Sequence, residues 1–437
     1  MRVRRILLTL TALTGLVTAA APALAQPPQP TVGDQPAATL LLPYFEVDLA
    51  NPAGANTYFT VNNASATAAL AHVTVWSAMH VPVYTFNIYL TGYDVQQVNV
   101  RDVINGKLPR TASVGQDLAD TNNPNDGISN QGPLSQDINF ATCNGTLPPA
   151  AVPQTTIDHI RASLTGEQSP VTGMCATKGD GTRIARGYIT VDTVNSCTNL
   201  TPADPGYFGA GGTGIATNQN ILWGDSIYTN HIGGVESGDG SPLVHITANA
   251  TDPQTSVPGE YTFYGRFVAW TAADNREPLA TNFMTRFVAN PAAGQTTLTV
   301  WRDAKVVQNY FACGSTPAWY PLVQEIIGFF DEQENPELPA LPPFAPPPPA
   351  PVRPFGFGAQ RVQVGGSLLP TSYASGLLWL NLSATPPGST SPSDDPASAQ
   401  AFVGVHLKGT GRYSTGWQAV MIDSTKFPYH YNPGFGF

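Results

Sequence analysis

His72-Val73-Thr74-Val75-Trp76 and Tyr84-Thr85-Phe86-Asn87-Ile88-Tyr89-Leu90 decide the fold class. Val73 and Val75 alternate with His72, Thr74 and Trp76. Tyr84, Phe86, Ile88 and Leu90 alternate with Thr85, Asn87 and Tyr89. Successive side chains of a strand point to opposite faces, so a period of two reads as a half-buried antiparallel strand. The alternation returns at Gly187–Asp192, Thr296–Trp301, Gly376–Leu382, Ala401–Leu407 and Trp417–Ile422, with Gly, Pro and Asn in between. The expected fold class is all-β, built from sandwiches or meanders. Helix is expected at Thr156–Leu164, where Ile157, Ile160 and Leu164 share one face and Gly166 follows as a stop. Val100–Asn105 adds one turn, and Leu322–Phe330 fits either strand or helix.

Working outward, Thr60–Trp76 has a counterpart of equal length in Thr285–Trp301. Both end in Thr-Val-Trp. Val81 or Val306 follows each Trp by five residues, and Phe86 or Phe311 by ten. Such an internal repeat predicts two related β-sandwich modules of immunoglobulin-like size, at 38–118 and 184–335. A short linker, 26–37, precedes them. Residues 119–183 read as a loop-rich connection holding the helix. Pro336–Pro354 carries ten prolines in nineteen residues, a semi-rigid spacer. It leads to a C-terminal β unit, a meander or sandwich, at 355–437, with Thr385–Gln400 as a mobile loop inside it.

The amino terminus sets the compartment. Arg2, Arg4 and Arg5 precede an apolar run from Ile6 to Leu16, and Pro22-Ala23-Leu24-Ala25 carries small residues at the cleavage positions. This reads as a signal peptide, 1–25, cut before Gln26. Export by a bacterium is expected, to the periplasm, outer surface or extracellular space. Charged residues are 11% of the chain, against a typical ~25%, so Thr, Asn, Ser, Gln and Gly must keep it soluble. Net charge is −10, and losing the three leader arginines makes it more acidic, which disfavours nucleic acid. No second run of ~18 apolar residues predicts a transmembrane anchor. The terminal Phe437 resembles the end of an outer-membrane barrel strand, but Pro433 and Gly434 suit no lipid-facing strand.

Cys143, Cys175, Cys197 and Cys313 form an even set, so two disulfides are expected in an oxidising compartment. Three pairings are open, and Cys143–Cys175 with Cys197–Cys313 is the one expected. No C-x-x-C spacing supports redox, zinc or haem chemistry. Several segments resemble a family of uncharacterised secreted bacterial proteins: Leu42-Pro43-Tyr44-Phe45-Glu46-Val47-Asp48-Leu49, Ala185-Arg186-Gly187-Tyr188-Ile189-Thr190-Val191-Asp192, Thr299-Val300-Trp301-Arg302-Asp303 and Trp319-Tyr320-Pro321-Leu322. The resemblance implies one continuous architecture over most of the mature chain, and brings no activity and no site residues.

Catalytic and metal motifs are incomplete. Gly224-Asp225-Ser226-Ile227 resembles the nucleophile block of GDSL-type esterases, yet no histidine has an Asp three residues before it. A turn after a strand is the simpler reading. Gly209-Ala210-Gly211-Gly212-Thr213-Gly214 spells a dinucleotide fingerprint without its strand, helix or acid, and reads as a loop. Asp120–Gly127 has calcium-loop composition, broken by Pro124. His72, His80 and His159 lack zinc-site spacing. Glu46 and Asp48 share one strand face, a pair that could serve glycosides but more often caps a turn. The speculative ligand-binding residues are Trp76 and Trp301, whose indoles would stack on sugar rings if exposed or fill an interface if covered. No cofactor and no metal is expected. The functional expectation is an exported envelope or surface protein that acts by binding or assembly without catalysis, its partner an envelope protein or a glycan. A carbohydrate-binding or carbohydrate-acting protein is the alternative, and an envelope serine esterase using Ser226 the second.

Overall fold

The computed structural model describes residues 35–109, 143, 147, 151–208, 214–230, 237–248, 262–268, 274–304, 306–317, 320–322, 325–337, 354–382, 400–410 and 414–421. The leader, the calcium-like segment 120–127, the glycine-rich segment 209–213, most of the proline run and residues 385–399 of the expected mobile loop lie outside the described residues. The chain is mostly β. Among the described residues the strands form three antiparallel sheets.

A central sheet runs in the order β10 (Val244–Ile246), β1 (Thr39–Asp48), β6 (Ile184–Val194), β3 (Ala69–Ser77) and β4 (Pro82–Leu90). An outer sheet runs β5 (Val95–Asn99), β2 (Asn56–Asn63), β8 (Asp225–Asn230) and β9 (Ser237–Pro242), with β7 (Leu222–Trp223) also on β2. The third sheet is folded over at a hairpin. Its inner leaf is β14 (Ala359–Gln363), β12 (Gly294–Arg302), β16 (Ala401–Gly409) and β17 (Ser414–Gln418). Its outer leaf is β13 (Ile326–Phe330), β15 (Ser375–Asn381), β11 (Asn282–Asn290) and β18 (Val420–Met421). β11 and β12 pair only at Ala289↔Gln295 and Asn290↔Gly294, so the leaves part immediately after the turn.

Period-two alternation then stacks the layers. Leu40, Leu42, Phe45 and Val47 of β1, with Val73 and Val75 of β3, meet Phe59, Val61 and Val98 of the outer sheet. Leu41, Tyr44, Trp76 and Tyr188, on the other face of the central sheet, meet Trp301, Ala359 and Phe402 of the inner leaf. Leu298, Val300, Val403 and Val405 meet Phe283, Phe287, Leu378 and Leu380 of the outer leaf. In β1 the switch from Leu42 to Phe45 breaks strict alternation, and the register against β6 shifts there. A bulge at Pro43 absorbs the extra residue and keeps both on the same face.

Several expectations are met, others corrected. α1 spans Val100–Ile104 and is capped by the Asn99 side chain, which accepts from Arg101 N. α2 spans Gln154–Thr165 and ends at Gly166 as expected, but Pro153 precedes it without a side-chain cap. A four-residue helix, α3 (Gly265–Val268), was not expected. Ile326–Phe330 is strand, which resolves Leu322–Phe330. The expected half-burial fails for β3, where every residue is buried. The strand pairing also crosses the expected module borders. β6 lies between β1 and β3, and β8 pairs β2, so both join strands of 38–118. β12 takes both its long neighbours, β14 and β16, from 355–437. In the internal repeat, β2/β3 and β11/β12 each place their Thr-Val-Trp strand in a different layer from the strand before it. The likeness ends there, because Phe86 lies in β4 while Phe311 makes only an isolated bridge to Cys175.

The expected disulfide pairing is corrected too. The bonds are Cys143–Cys197 and Cys175–Cys313. Cys175 is held beside the Phe311 segment by reciprocal backbone bonds, Cys175 N to Phe311 O at 2.9 Å and Phe311 N to Cys175 O at 3.0 Å. That bridge selects Cys313. Cys143 packs with Cys197 against Leu70, Tyr89 and Val194. Closing loops of 54 and 138 residues contributes roughly 4 and roughly 5 kcal/mol in the chain-entropy picture. Non-reducing peptide mapping should recover Cys143 with Cys197 and Cys175 with Cys313.

The covered face of the central sheet also holds a charge. Asp192 on β6 accepts from Thr39 Oγ1, from Tyr207 OH at 2.6 Å and from Tyr264 OH at 2.9 Å. Arg276 lies 3.6 Å from it and 3.0 Å from Asp274. Arg276 also donates to Thr39 Oγ1, and to Thr217 O at 3.0 Å. All three charged side chains are at most 1% exposed. Burial and the neighbouring carboxylate push both tyrosines well above the usual phenol range, so they remain donors. Removing one charge strands the others. Asp192→Asn should cost about 3–5 kcal/mol in urea unfolding, and adding Arg276→Met should recover part of that loss.

Candidate functional site

Trp76 and Trp301, the expected ligand-binding residues, are brought together, but inside the protein. They are 0% and 1% exposed. Trp76 stacks on Tyr188 with centroids 5.6 Å apart, and Tyr188 meets Trp301 edge-on at 5.9 Å. Phe263 stacks on Trp301 with centroids 5.5 Å apart. Trp76 Nε1 donates to Thr190 Oγ1 at 2.9 Å. The two indoles are the seam between the central sheet and the inner leaf, and neither offers a ring face to a sugar.

His80 fastens the same seam. It sits in the β3–β4 turn with φ 62°. Its Nε2 lies 2.6 Å from Arg302 O and its Nδ1 2.7 Å from Tyr188 OH. A carbonyl only accepts, so Nε2 carries the hydrogen and Nδ1 accepts from the phenol. A Cβ on Gly358 would stand 2.2 Å from His80 Nε2, so only glycine permits this approach. Ala78 O accepts from Gly358 N at 3.0 Å. Arg302 itself donates to Phe355 O at 2.7 Å and Leu382 O at 2.8 Å.

The catalytic candidates are spent on structure. Asp225 and Ser226 open β8. A Cβ on Gly224 would meet Thr60 O at 2.1 Å, which explains the glycine. Asp225 Oδ1 accepts from Thr60 Oγ1 at 2.7 Å. The Ser226 hydroxyl donates to Ser241 O at 3.1 Å, across its own ladder pair. Ser226 and His406 line one small cavity of about 50 Å³, with Tyr44, Tyr228 and Arg361. His245 Nε2 accepts from Gly224 N at 3.2 Å while its Nδ1 donates to Gln35 O at 2.8 Å. Asp48 Oδ1 caps a turn, accepting from Ala50 N and Asn51 N, and Glu46 accepts from Tyr44 OH at 2.7 Å. His72 is held by Asn87, and His159 by Ser169 and Tyr310. Among the described residues, no cluster of three metal-ligating side chains forms and no helix is long and apolar enough to cross a membrane.

The open site is the solvent face of the outer sheet. Phe59, Val61 and Val98 point into the core, so Tyr58, Thr60 and Asn62 of β2 lie on the opposite face, where Tyr58 and Thr60 are part-exposed and Asn62 is buried. Register sets their neighbours in three rows. Tyr58 lies between Asn99 and Ile227, Thr60 pairs Gln97 and bonds Asp225, and Asn62 lies between Val95 and Trp223. Trp223 is 45% exposed, Ile227 48% and Val95 62%. Large apolar side chains clustered on a solvent face mark a binding surface far more often than scattered ones do. The arrangement can stack, desolvate and hydrogen-bond a flat ligand.

Compared with family models, curated proteins and solved structures, the chain matches none. The exposure of Trp223 is not legible in the sequence, because Ile221-Leu222-Trp223 is an unbroken apolar run with no alternation to mark which side chain faces out. The usable signal was the Gly224 beside it, which marks a close backbone approach after a two-residue strand.

The seam is sensitive to acid. Burial, with the Arg266 guanidinium near, holds the His80 imidazole well below the usual 6.5, against the Arg302 carbonyl that favours its charge. His72 is lowered mainly by burial. Above pH 6.5 both are neutral whether folded or unfolded, and their contribution is complete. Below it the unfolded chain takes up protons the folded chain refuses, so stability falls. The thermal midpoint should drop from about pH 7 to about pH 5, and His80→Asn, which tolerates the left-handed backbone, should flatten that slope while lowering the midpoint.

Proposed function

We propose that this chain is an exported protein of the cell envelope or surface that acts by binding or assembly, without catalysis. The observation that carries the reading is the open face of the outer sheet, where Trp223, Ile227 and Val95 are exposed on strands flanking β2. Two disulfides support an oxidising compartment outside the cytoplasm. The Ser226 hydroxyl, donating to a carbonyl, supports binding over nucleophilic chemistry. Immunoglobulin-like modules and membership of a family of secreted bacterial proteins are part of the proposal. The layered antiparallel sheets with central tryptophan strands support the first, and the Leu42–Leu49 and Ala185–Asp192 segments support the second.

Protease shaving of intact cells, with a lysed control, tests the location. Digestion on intact cells assigns the outer surface, and protection until lysis the periplasm. Recovery in the cytosol with four free thiols overturns export. Cosedimentation of the purified mature protein with washed envelope fragments tests the activity. We expect saturable retention, and a protein that stays in the supernatant at every concentration sinks the binding reading.

A further inference from the structure

We propose that the outer-sheet face binds a neutral, extended polysaccharide chain lying along β2. This inference rests on the binding function proposed above and names its ligand class. The face is ordered in rows. One row carries Tyr58 and Ile227, the next Thr60, Gln97 and Asp225, the third Trp223 and Val95. Residues four apart on a strand are ~13 Å apart, and side chains on strands two removed ~10 Å apart. The platform is the footprint of a short oligosaccharide. The two outer rows offer aromatic and aliphatic surface and the middle row polar groups, which suits a chain whose every ring presents a C–H face for stacking and an edge of hydroxyls for hydrogen bonds. One sugar ring lies on the Trp223 indole and another over Tyr58, with the hydroxyls between them meeting Thr60, Gln97 and Asp225.

The charge of the face selects neutrality. None of these seven residues is a cation, and Asp225 is a carboxylate. The nearby Arg101 spends its guanidinium on the carbonyls of Asp48, Asn51, Gly54 and Ala55. A phosphate- or uronate-bearing polymer would meet repulsion without a counter-charge, on a chain of net charge −10. Sugar hydroxyls, by contrast, donate well to a carboxylate. Thr60 Oγ1 fixes Asp225 by donating to its Oδ1 at 2.7 Å, and accepts from Asp225 N at 3.1 Å. Asp225 therefore presents its second oxygen from a set rotamer, at little entropic cost on binding. Among the described residues no ring or cation covers the Trp223 indole, whereas Trp417, the other half-exposed tryptophan, has its Nε1 bonded to Thr285 Oγ1 at 3.0 Å.

The test uses the purified mature protein, a panel of insoluble neutral polysaccharides (cellulose, chitin, mannan and an α-glucan) and the washed envelope fragments used above. We expect retention on at least one polysaccharide. Trp223→Ala should weaken it roughly tenfold, as loss of an exposed aromatic anchor does. Asp225→Ala should weaken it in the same direction, and Trp417→Ala should leave it unchanged. Unaltered thermal midpoints for the exposed-site variants exclude misfolding as the cause. Retention on no polysaccharide, or equal retention of wild type and Trp223→Ala, overturns the glycan assignment. If envelope fragments still retain the wild type but not Trp223→Ala, the face serves a protein partner, and the binding function stands without the glycan. If neither the polysaccharides nor the envelope fragments retain the wild type, both proposals fail.

Discussion

A sheet covered on both faces leaves none of its polar groups to water, and the rest of this molecule is arranged around that constraint. The central sheet carries His72, Thr74, Asp192 and Thr190 on the face toward the folded sheet, all buried. An unpaired buried polar group costs more than a hydrogen bond gains, and three of the four are partnered, Thr74 Oγ1 being the exception. The partners of Asp192 come from distant segments. Tyr207, Tyr264 and Arg276 converge on Asp192 and its neighbour Thr39, Thr217 O receives Arg276, and within the sheet Asn87 of β4 holds His72 while Trp76 donates to Thr190. Apolar packing alone would let the layers slide. A buried carboxylate that must find one guanidinium and two phenols fixes their register, the role for which buried polar groups are best attested.

The aromatic seam answers the same constraint with different chemistry. Trp76 and Tyr188 fill the gap where the polar groups end, and Trp301 fits against them from the inner leaf. Offset and edge-on pairs of this kind add about 0.5–1.5 kcal/mol each beyond their buried area. His80, its neighbour Gly358 and Arg302 then tie a turn of the central sheet to the backbone of the inner leaf. The halves of the chain are therefore not beads on a string. The Cys175–Cys313 bond joins the segment after α2 to the segment after β12 and crosses the same divide covalently.

Much of the strand content was legible in the sequence, because alternation is a local property. The strands at Gly187–Asp192, Thr296–Trp301 and Ala401–Leu407 all exist, each a residue or more longer than its pattern. Which strand pairs which was not legible. β6 inserts between β1 and β3 across more than a hundred residues, and no local pattern encodes that choice. Burial failed for a related reason. His, Thr and Trp opposite a Val face look solvent-facing only if a sandwich has two layers, and here a further layer covers them. The disulfides followed pairing, not spacing: once Phe311 bridges Cys175, Cys313 is its neighbour whatever the loop length.

The same stacking explains why the proposed site lies on the outer sheet. In a pile of layers, interior faces are fully committed to cohesion, and only the first and last sheets keep a face for another molecule. A tryptophan on an inner face therefore stabilises the stack, as Trp76 and Trp301 do, while one on an outer face is free to bind. Trp223 needs little from the fold beyond a flat support. That support comes from β2, whose inward Phe59 and Val61 anchor it in the core and whose outward Tyr58 and Thr60 set two of the rows. Stability and recognition thus reside on opposite faces of one strand. A change in ligand preference can be written into the outward positions at small cost to the layers beneath, since exposed substitutions remote from buried networks shift stability by about half a kcal/mol or less.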